Sequence, residues 1–318
     1  MPIWNIGAKD EARNEAIKDE GIMKKVVMLI LVAVVMAACE KPIVNDEGNK
    51  EDGNVVLRFA MTNGDAIAGQ RTKQATTRAE MSHYFTKLNI MLFDEDGERV
   101  FEKVVMQTKD DDDFGVLRLS LTAGTYWVVA VGHSSKKSAT IKSPEVVQFT
   151  ASEGEKLTDT FCACERITVD GGTADYTLTM YRVGAMIPFC LKDESFPVNF
   201  SHFKMDYTGG SANFNPQTLE GITKSTQSEM RSTNEIHIYQ AFTFPYMDVA
   251  GSIKMTCTAL DVDGQIIRKR VFEAIPVTRN RITTYTGPFF EDGDGVFTQS
   301  DFSFLIHADW EGEDFYNF

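Results

Sequence analysis

From residue 253 the chain alternates strictly: Ile253, Met255, Cys257 and Ala259 are apolar, and Lys254, Thr256 and Thr258 between them are polar. A period of two puts all the apolar side chains on one face of an extended strand, whereas a helix would scatter them. The pattern recurs. Leu88, Ile90 and Leu92 alternate with Asn89, Met91 and Phe93, and Leu117, Leu119 and Leu121 with Arg118 and Ser120. Further strand-like runs are Val55–Met61, Val100–Met106, Thr125–Val131, Tyr176–Phe189 with a break near Gly184, His237–Phe244, Ile266–Ile275, Arg281–Thr286 and Phe302–Ala308. Asp94-Glu95-Asp96-Gly97, Ala123-Gly124 and Asp261-Val262-Asp263-Gly264 separate several of them with turn chemistry. Helical periodicity is weak, and a short turn at Ala79–Phe85 is its best candidate. These spacings predict an all-β chain of two antiparallel β-sandwiches, residues 54–182 and 183–318, meeting near Tyr181–Val183. Residues 39–318 are long enough for two ordinary domains.

The N-terminal region carries a different signal. Lys24 and Lys25 precede the apolar run Val26–Val35, and Met36-Ala37-Ala38 leads to Cys39. A basic start, a short apolar core and small residues before a cysteine make a lipoprotein signal peptide, in which Cys39 is acylated and becomes the new N-terminus. The run to Ala38 falls short of the roughly 20 residues of a membrane span. Residues 1–38 are therefore the signal region, and Met23 is the better physical start. Residues 40–53 are polar with little to bury, so 39–53 reads as a lipidated flexible tether.

The net charge is −14, and residues 1–38 contribute nothing to it. An acidic surface repels phosphate backbones, which argues against nucleic acid. With Cys39 lipidated, Cys162, Cys164, Cys190 and Cys257 remain, too few for a disulfide framework. Cys162 and Cys164 share one face of a strand, and no second pair follows at zinc spacing.

Catalytic and metal chemistry find little support. The Asp-rich segments 94–97, 110–113, 261–264 and 291–295 lack a closing Glu at calcium-loop offset, and Asp-Gly is hairpin-turn chemistry. His83, His133, His202, His237 and His307 show no ligand spacing, and no serine elbow or phosphate loop appears. Trp127 and Trp310 lie in strand-like contexts and read as core. No catalytic, cofactor or metal residue is expected, and the protein is expected not to be an enzyme.

Seven segments taken in order resemble one family. They are Leu88–Gly97 (LNIMLFDEDG), Leu121–His133 (LTAGTYWVVAVGH), Thr158–Phe161 (TDTF), Met180–Met186 (MYRVGAM), Tyr207–Ala212 (YTGGSA), Val277–Gly287 (VTRNRITTYTG) and Ala308–Trp310 (ADW). Together with the lipidated start they resemble the fimbrillin-associated anchor lipoproteins of Bacteroidales fimbriae, the FimB type, over nearly the whole exported chain. The resemblance implies two tandem transthyretin-like sandwiches and a place at the base of a fimbrium. It also implies that subunits join by strand addition, in which main-chain hydrogen bonds supply affinity and alternate side-chain pockets supply fit. In the family's stalk subunits an arginine-specific protease removes the first strand; anchors keep theirs. Here Val55–Met61 would be that strand, and Arg71 and Arg78 would lie in the loop after it.

The expected function is that of an outer-membrane lipoprotein, exposed at the cell surface, palmitoylated at Cys39 and anchoring a fimbrial stalk by strand complementation. Its partners would be stalk or accessory subunits, the membrane through the lipid, and host or bacterial surface ligands. A tip adhesin and a glycan-binding surface lipoprotein are the alternatives. The chain ends at Phe318, soon after Trp310, which leaves little tail to donate. An anchor should hold Val55–Met61 in its own first sandwich and offer an attachment edge near Phe302–Trp310.

Overall fold

The computed structural model describes residues 53–61, 78–150, 157–246 and 251–291, and the backbone of Ser303–His307. The chain divides into compact units Met1–Pro42 and Ile43–Phe318, and all the described residues belong to the second. The strands of its first half are β1 (Val55–Met61), β2 (Lys87–Phe93), β3 (Val105–Thr108), β4 (Val116–Leu119), β5 (Gly124–His133), β6 (Thr140–Ser143), β7 (Val146–Gln148), β8 (Phe161–Val169) and β9 (Ala174–Arg182). A single turn of helix, α1 (Arg78–Ser82), precedes β2. The second half holds β10 (Ala185–Leu191), β11 (His202–Gly210), β12 (Asn213–Asn215), β13 (Glu220–Gly221), β14 (Ser225–Ser232), β15 (Ile238–Thr243), β16 (Ser252–Leu260), β17 (Ile266–Pro276), β18 (Ile282–Gly287) and β19 (Ser303–His307).

Seven of the nine first-half strands form one sheet in the order β3-β2-β5-β8-β9-β1-β4. β8 and β9 pair at only two positions, Phe161 with Arg182 and Cys162 with Tyr181. The sheet folds over there, so side chains of β1 and β9 share one core with those of β2, β5 and β8. β2 and β5 are covered on both faces, and Asn89, Met91 and Phe93 are as buried as Leu88, Ile90 and Leu92. The two ends of the sheet also meet. The Gln107 side chain on β3 donates to Val116 O on β4 and accepts from Gly115 N.

In the second half, sheet β15-β10-β18-β19 faces sheet β14-β11-β16-β17 across a core that includes Phe189, Phe203, Met205, Met255, Cys257 and Tyr285. Most pairings are antiparallel, as expected from the hairpin signals. Each half, however, contains one parallel pair joining its first strand to a late one: β1 with β9 and β10 with β18.

Several expectations need correction. The run 100–106 is not a strand throughout; after a lone bridge between Phe93 and Arg99 the chain leaves the ladder and resumes at Val105. Arg99 donates to Ile141 O, and Phe101 turns into the core, which pulls the segment inward. β11 carries an alternation of its own in Phe203, Met205 and Tyr207 against Lys204 and Asp206, and it belongs among the strands. β14, Ser225–Ser232, is nearly all polar and offers no sequence signal. Trp127 is only half-buried, with the Arg166 guanidinium 5.5 Å from its ring centroid on the neighbouring strand.

A fourth sheet, β13-β12-β7-β6, joins the two halves: β7 pairs with β12, and Phe149 N donates to Ala212 O. Phe214 and Phe244 from the second half pack in the first core beside Phe149. Arg182, the last residue of β9, is buried in the same joint. Its Nε donates to Asp159 at 2.9 Å, its Nη1 donates to Asn280 Oδ1, and its guanidinium lies 4.6 Å from the Phe161 ring centroid. Burial raises the Asp159 carboxyl above its ordinary pKa, against the pull of Arg182. Removing one member of a buried pair strands the other, at a cost of about 3–5 kcal/mol. Arg182→Met is therefore expected to lower unfolding stability by about that amount. Without the arginine, the folded pKa of Asp159 rises further above its unfolded value. The folded state then binds the proton more readily, and stability falls as pH rises through that raised pKa. Denaturant unfolding of the variant is expected to show the larger deficit at pH 7 and the smaller one at pH 5.

Candidate functional site

The chemistry expected of this chain is backbone pairing, so its site is the set of strands and edges that could take or refuse a partner. β1 is decisive. It lies between two strands, parallel to β9 at seven positions from Val55–Ala174 to Met61–Met180 and antiparallel to β4 at four. Val55, Leu57, Phe59 and Ala60 are fully buried. Each fully buried large apolar side chain contributes roughly 1.5–3 kcal/mol, so β1 is held by its core face as well as by both ladders. Across β9, Arg58 Nε meets Asp175 at 3.1 Å.

The entry to β1 is equally fixed. Asn54 Oδ1 accepts from Leu121 N at 2.8 Å and its Nδ2 donates to Leu121 O, so the side chain extends the pairing by one residue. Ala174 N donates to Asn54 O on the other side. Gly53 lies so close to β4 that a Cβ there would stand 2.6 Å from Leu119 O. Only a glycine lets the incoming chain pass at that distance.

The remaining edges differ in what covers them. Those of the seven-stranded sheet are bridged by Gln107, which limits their use as templates. On β15, the outward carbonyls Gln240 O and Phe242 O accept from Arg231 Nη2 and the Tyr207 hydroxyl. Tyr207 also reaches Glu229, and burial with that carboxylate beside it holds the phenol well above its ordinary pKa. Among the described residues, no strand pairs with the outer edge of β17 or of β19. β19 pairs with β18 from Thr286–Ser303 to Ile282–His307 and lies within the stretch expected to offer the attachment edge.

Cys39, Arg71 and Trp310 lie outside the described residues, as do the side chains of Phe304 and Ile306. Arg78 opens α1, where its Nε donates to Lys109 O and its Nη1 lies 3.2 Å from Asp112. Cys162, Cys164 and Cys257 are free thiols, and burial pushes Cys164 up to about 12. Asp94 and Asp261 accept from backbone N–H groups of their own turns, each closed by a glycine in the left-handed region, Gly97 and Gly264. No group of three His, Cys, Asp or Glu side chains placed to hold a metal occurs among the described residues. His133 sits in the core with Nε2 2.6 Å from Asn89 Oδ1, and burial, aided by the Lys87 charge, lowers its pKa to about 3. Among the described residues, no helix is long and apolar enough to cross a membrane.

Two substitutions separate the contributions to β1. Phe59→Ala is expected to cost about 3–5 kcal/mol, as for other buried aromatics, read from the denaturant midpoint. Gly53→Val, outside the core, is expected to displace the start of β1 and raise hydrogen exchange at Val55–Leu57 while Leu88–Leu92 stays protected. Unchanged exchange at β1 would show that the close approach to Leu119 constrains nothing.

Several solved structures are similar to this chain at low identity. A candidate polysaccharide-binding protein (DUF1812) from Bacteroides thetaiotaomicron is 10% identical, with a TM-score of 0.49 over 80% of this chain and 95% of that one. A candidate cell adhesion protein from Bacteroides eggerthii is 12% identical, with a TM-score of 0.45 over 83% and 98%. The fimbrial anchor protein Mfa2 from Porphyromonas gingivalis is 11% identical, with a TM-score of 0.40 over 79% and 94%. No curated protein matches the chain. A family model matches residues 47–317, and the chain accordingly belongs to the family of unknown function DUF6562.

Proposed function

We propose that this protein is a lipid-anchored protein of the outer membrane, palmitoylated at Cys39, that holds a fimbrial stalk at the cell surface and acts by binding rather than catalysis. On this reading residues 54–182 and 183–318 are tandem transthyretin-like sandwiches, residues 39–53 are the tether, and stalk or accessory subunits are the partners. The observation that carries the reading is the seating of β1. The strand that follows the tether fills its own place between β9 and β4, buried from Val55 to Ala60 apart from Arg58. A subunit that surrendered this strand would open its core and lose its connection to the lipid together. A subunit that keeps it stays attached and must offer a different edge to its neighbour. The outer edge of β19 is the candidate, and a strand added there would extend sheet β15-β10-β18-β19 through main-chain hydrogen bonds.

Deleting the gene is expected to release fimbriae into the medium while their subunits are still made. Cys39→Ser is expected to abolish fatty-acid labelling and move the protein to the soluble fraction. Label that persists in that variant would refute the lipid assignment. Fimbriae that stay cell-bound in the deletion strain, with only adhesion to a host ligand lost, would replace the anchor with a tip adhesin.

A further inference from the structure

The end of the second half that points away from the joint has a surface unlike the rest. Four segments meet there: residues 192–201 after β10, 233–237 before β15, 261–265 between β16 and β17, and 288–291 after β18. Backbone hydrogen bonds tie them together, Ser201 N to Leu260 O, Thr233 N to Ser201 O and Lys192 N to Gly287 O. Asp193 fastens the last segment by accepting from Phe289 N and Phe290 N. Seven large hydrophobic side chains stand exposed among the described residues, and four are at this tip: Val198 fully, Val262 at 77%, Ile266 at 64% and Ile236 at 41%. Beside them is a cleft of about 530 Å³ lined by Glu194, Ser195, Phe196, Pro197, Phe290 and Glu291.

Water-exposed branched aliphatics gathered on well-tied loops mark an interaction surface. The occupant can be read from the chemistry. The same loops carry Glu194, Glu235, Asp261, Asp263 and Glu291, five carboxylates opposed by Lys192 and by the guanidiniums of Arg268 and Arg270, which are both engaged in donating to Glu291 O. A second copy of the chain would set carboxylates against carboxylates. The adjoining residues 292–302 carry Asp292, Asp294 and Asp301 and no base, so they would meet the same repulsion. A glycan would need an open aromatic face, but Phe196 is stacked on His237 at 3.6 Å between centroids, with Phe290 edge-on to it at 5.8 Å. Branched aliphatics offer hydroxyl-rich ligands nothing.

We infer that this tip docks a segment of another protein that presents aliphatic side chains flanked by lysine or arginine. Aliphatic groups of the partner cover Val198, Val262 and Ile266, and its cation enters the cleft between Glu194 and Glu291. The inference uses only the coarse part of the anchor reading, that the protein meets other proteins at the cell surface. It concerns a surface separate from the β19 edge.

The test is photocross-linking on cells carrying the full-length protein with p-benzoylphenylalanine at position 198 or 266, and at exposed Met106 in the first half as the off-site control. The expected result is one protein adduct from both tip positions and none from 106, with the cross-link mapped by mass spectrometry to a segment containing Lys or Arg. Adding Glu194→Gln and Glu291→Gln is expected to reduce that adduct several-fold, and so is raising the salt, because screening shortens the reach of exposed charges. No adduct from the tip, an adduct indifferent to the two glutamates, a carbohydrate adduct, or a cross-link to a second copy would each overturn the inference. The two readings fail separately. A tip adduct on a protein that is not a fimbrial subunit, in a strain whose deletion releases no fimbriae, sinks the anchor and keeps the tip. Fimbriae released on deletion, with no adduct from 198 or 266, do the reverse.

Discussion

The parallel pairing of β1 with β9 is the contact on which the rest of the first half depends. β1 is the seam between β9 and β4, and without it the seven-stranded order breaks into a five-stranded piece and an orphan. Its inward side chains are the floor of a core that also takes Phe85, Phe114 and Phe161. A two-sided groove of this depth left empty would expose Leu57 and Phe59's neighbours together with two unpaired ladders, and both would template aggregation. Asn54 and Gly53 make the occupation specific, since they bring the chain in at one angle and one register.

Elsewhere the molecule treats its edges unequally. Side chains close the first sheet through Gln107 and cover the β15 carbonyls through Arg231 and Tyr207. The buried polar groups that do this are tightly partnered, as low-dielectric surroundings demand. The joint follows the same logic: Arg182 is satisfied by Asp159 from one half and Asn280 from the other, with a small mixed sheet alongside. Asn280 holds a left-handed backbone there (φ 58°), a conformation asparagine tolerates better than most residues.

Strands whose apolar residues recur at period two or in continuous runs were legible from the sequence, often to the residue. Val55–Met61 is β1 end to end, and Ile253–Ala259 falls within β16. The short helical turn expected at Ala79–Phe85 is present, shifted toward the N-terminus at Arg78–Ser82. What escaped had a physical reason. β14 is an edge strand whose buried positions, Gln227 and Glu229, are themselves polar, so no apolar period marks it. β6, β7, β12 and β13 have two to four residues each, too few to show any period, and form only because two hairpins from distant parts of the chain meet. Partner choice along a sheet was also invisible. Nothing in Val55–Met61 announces that its neighbour is Ala174–Met180, more than a hundred residues away, running the same way. At the candidate site, the sequence located the first strand and the terminal one, but not which edges side chains would seal, because Gln107, Arg231 and Tyr207 act over distances that no local pattern encodes.

The direction of β1 has a mechanical consequence. The chain enters β1 from Gly53 at its N-terminal end and leaves β9 for the second half at Arg182, its C-terminal end. Because the strands run parallel, these two exits lie at opposite ends of the ladder. Tension between the N-terminal segment and the second half therefore pulls β1 and β9 along their own axes in opposite senses. All seven paired positions from Val55 to Met61 are loaded together in shear. An antiparallel pair with the same exits would open one hydrogen bond at a time, like a zipper. The topology that buries the first strand also aligns it to resist being drawn out.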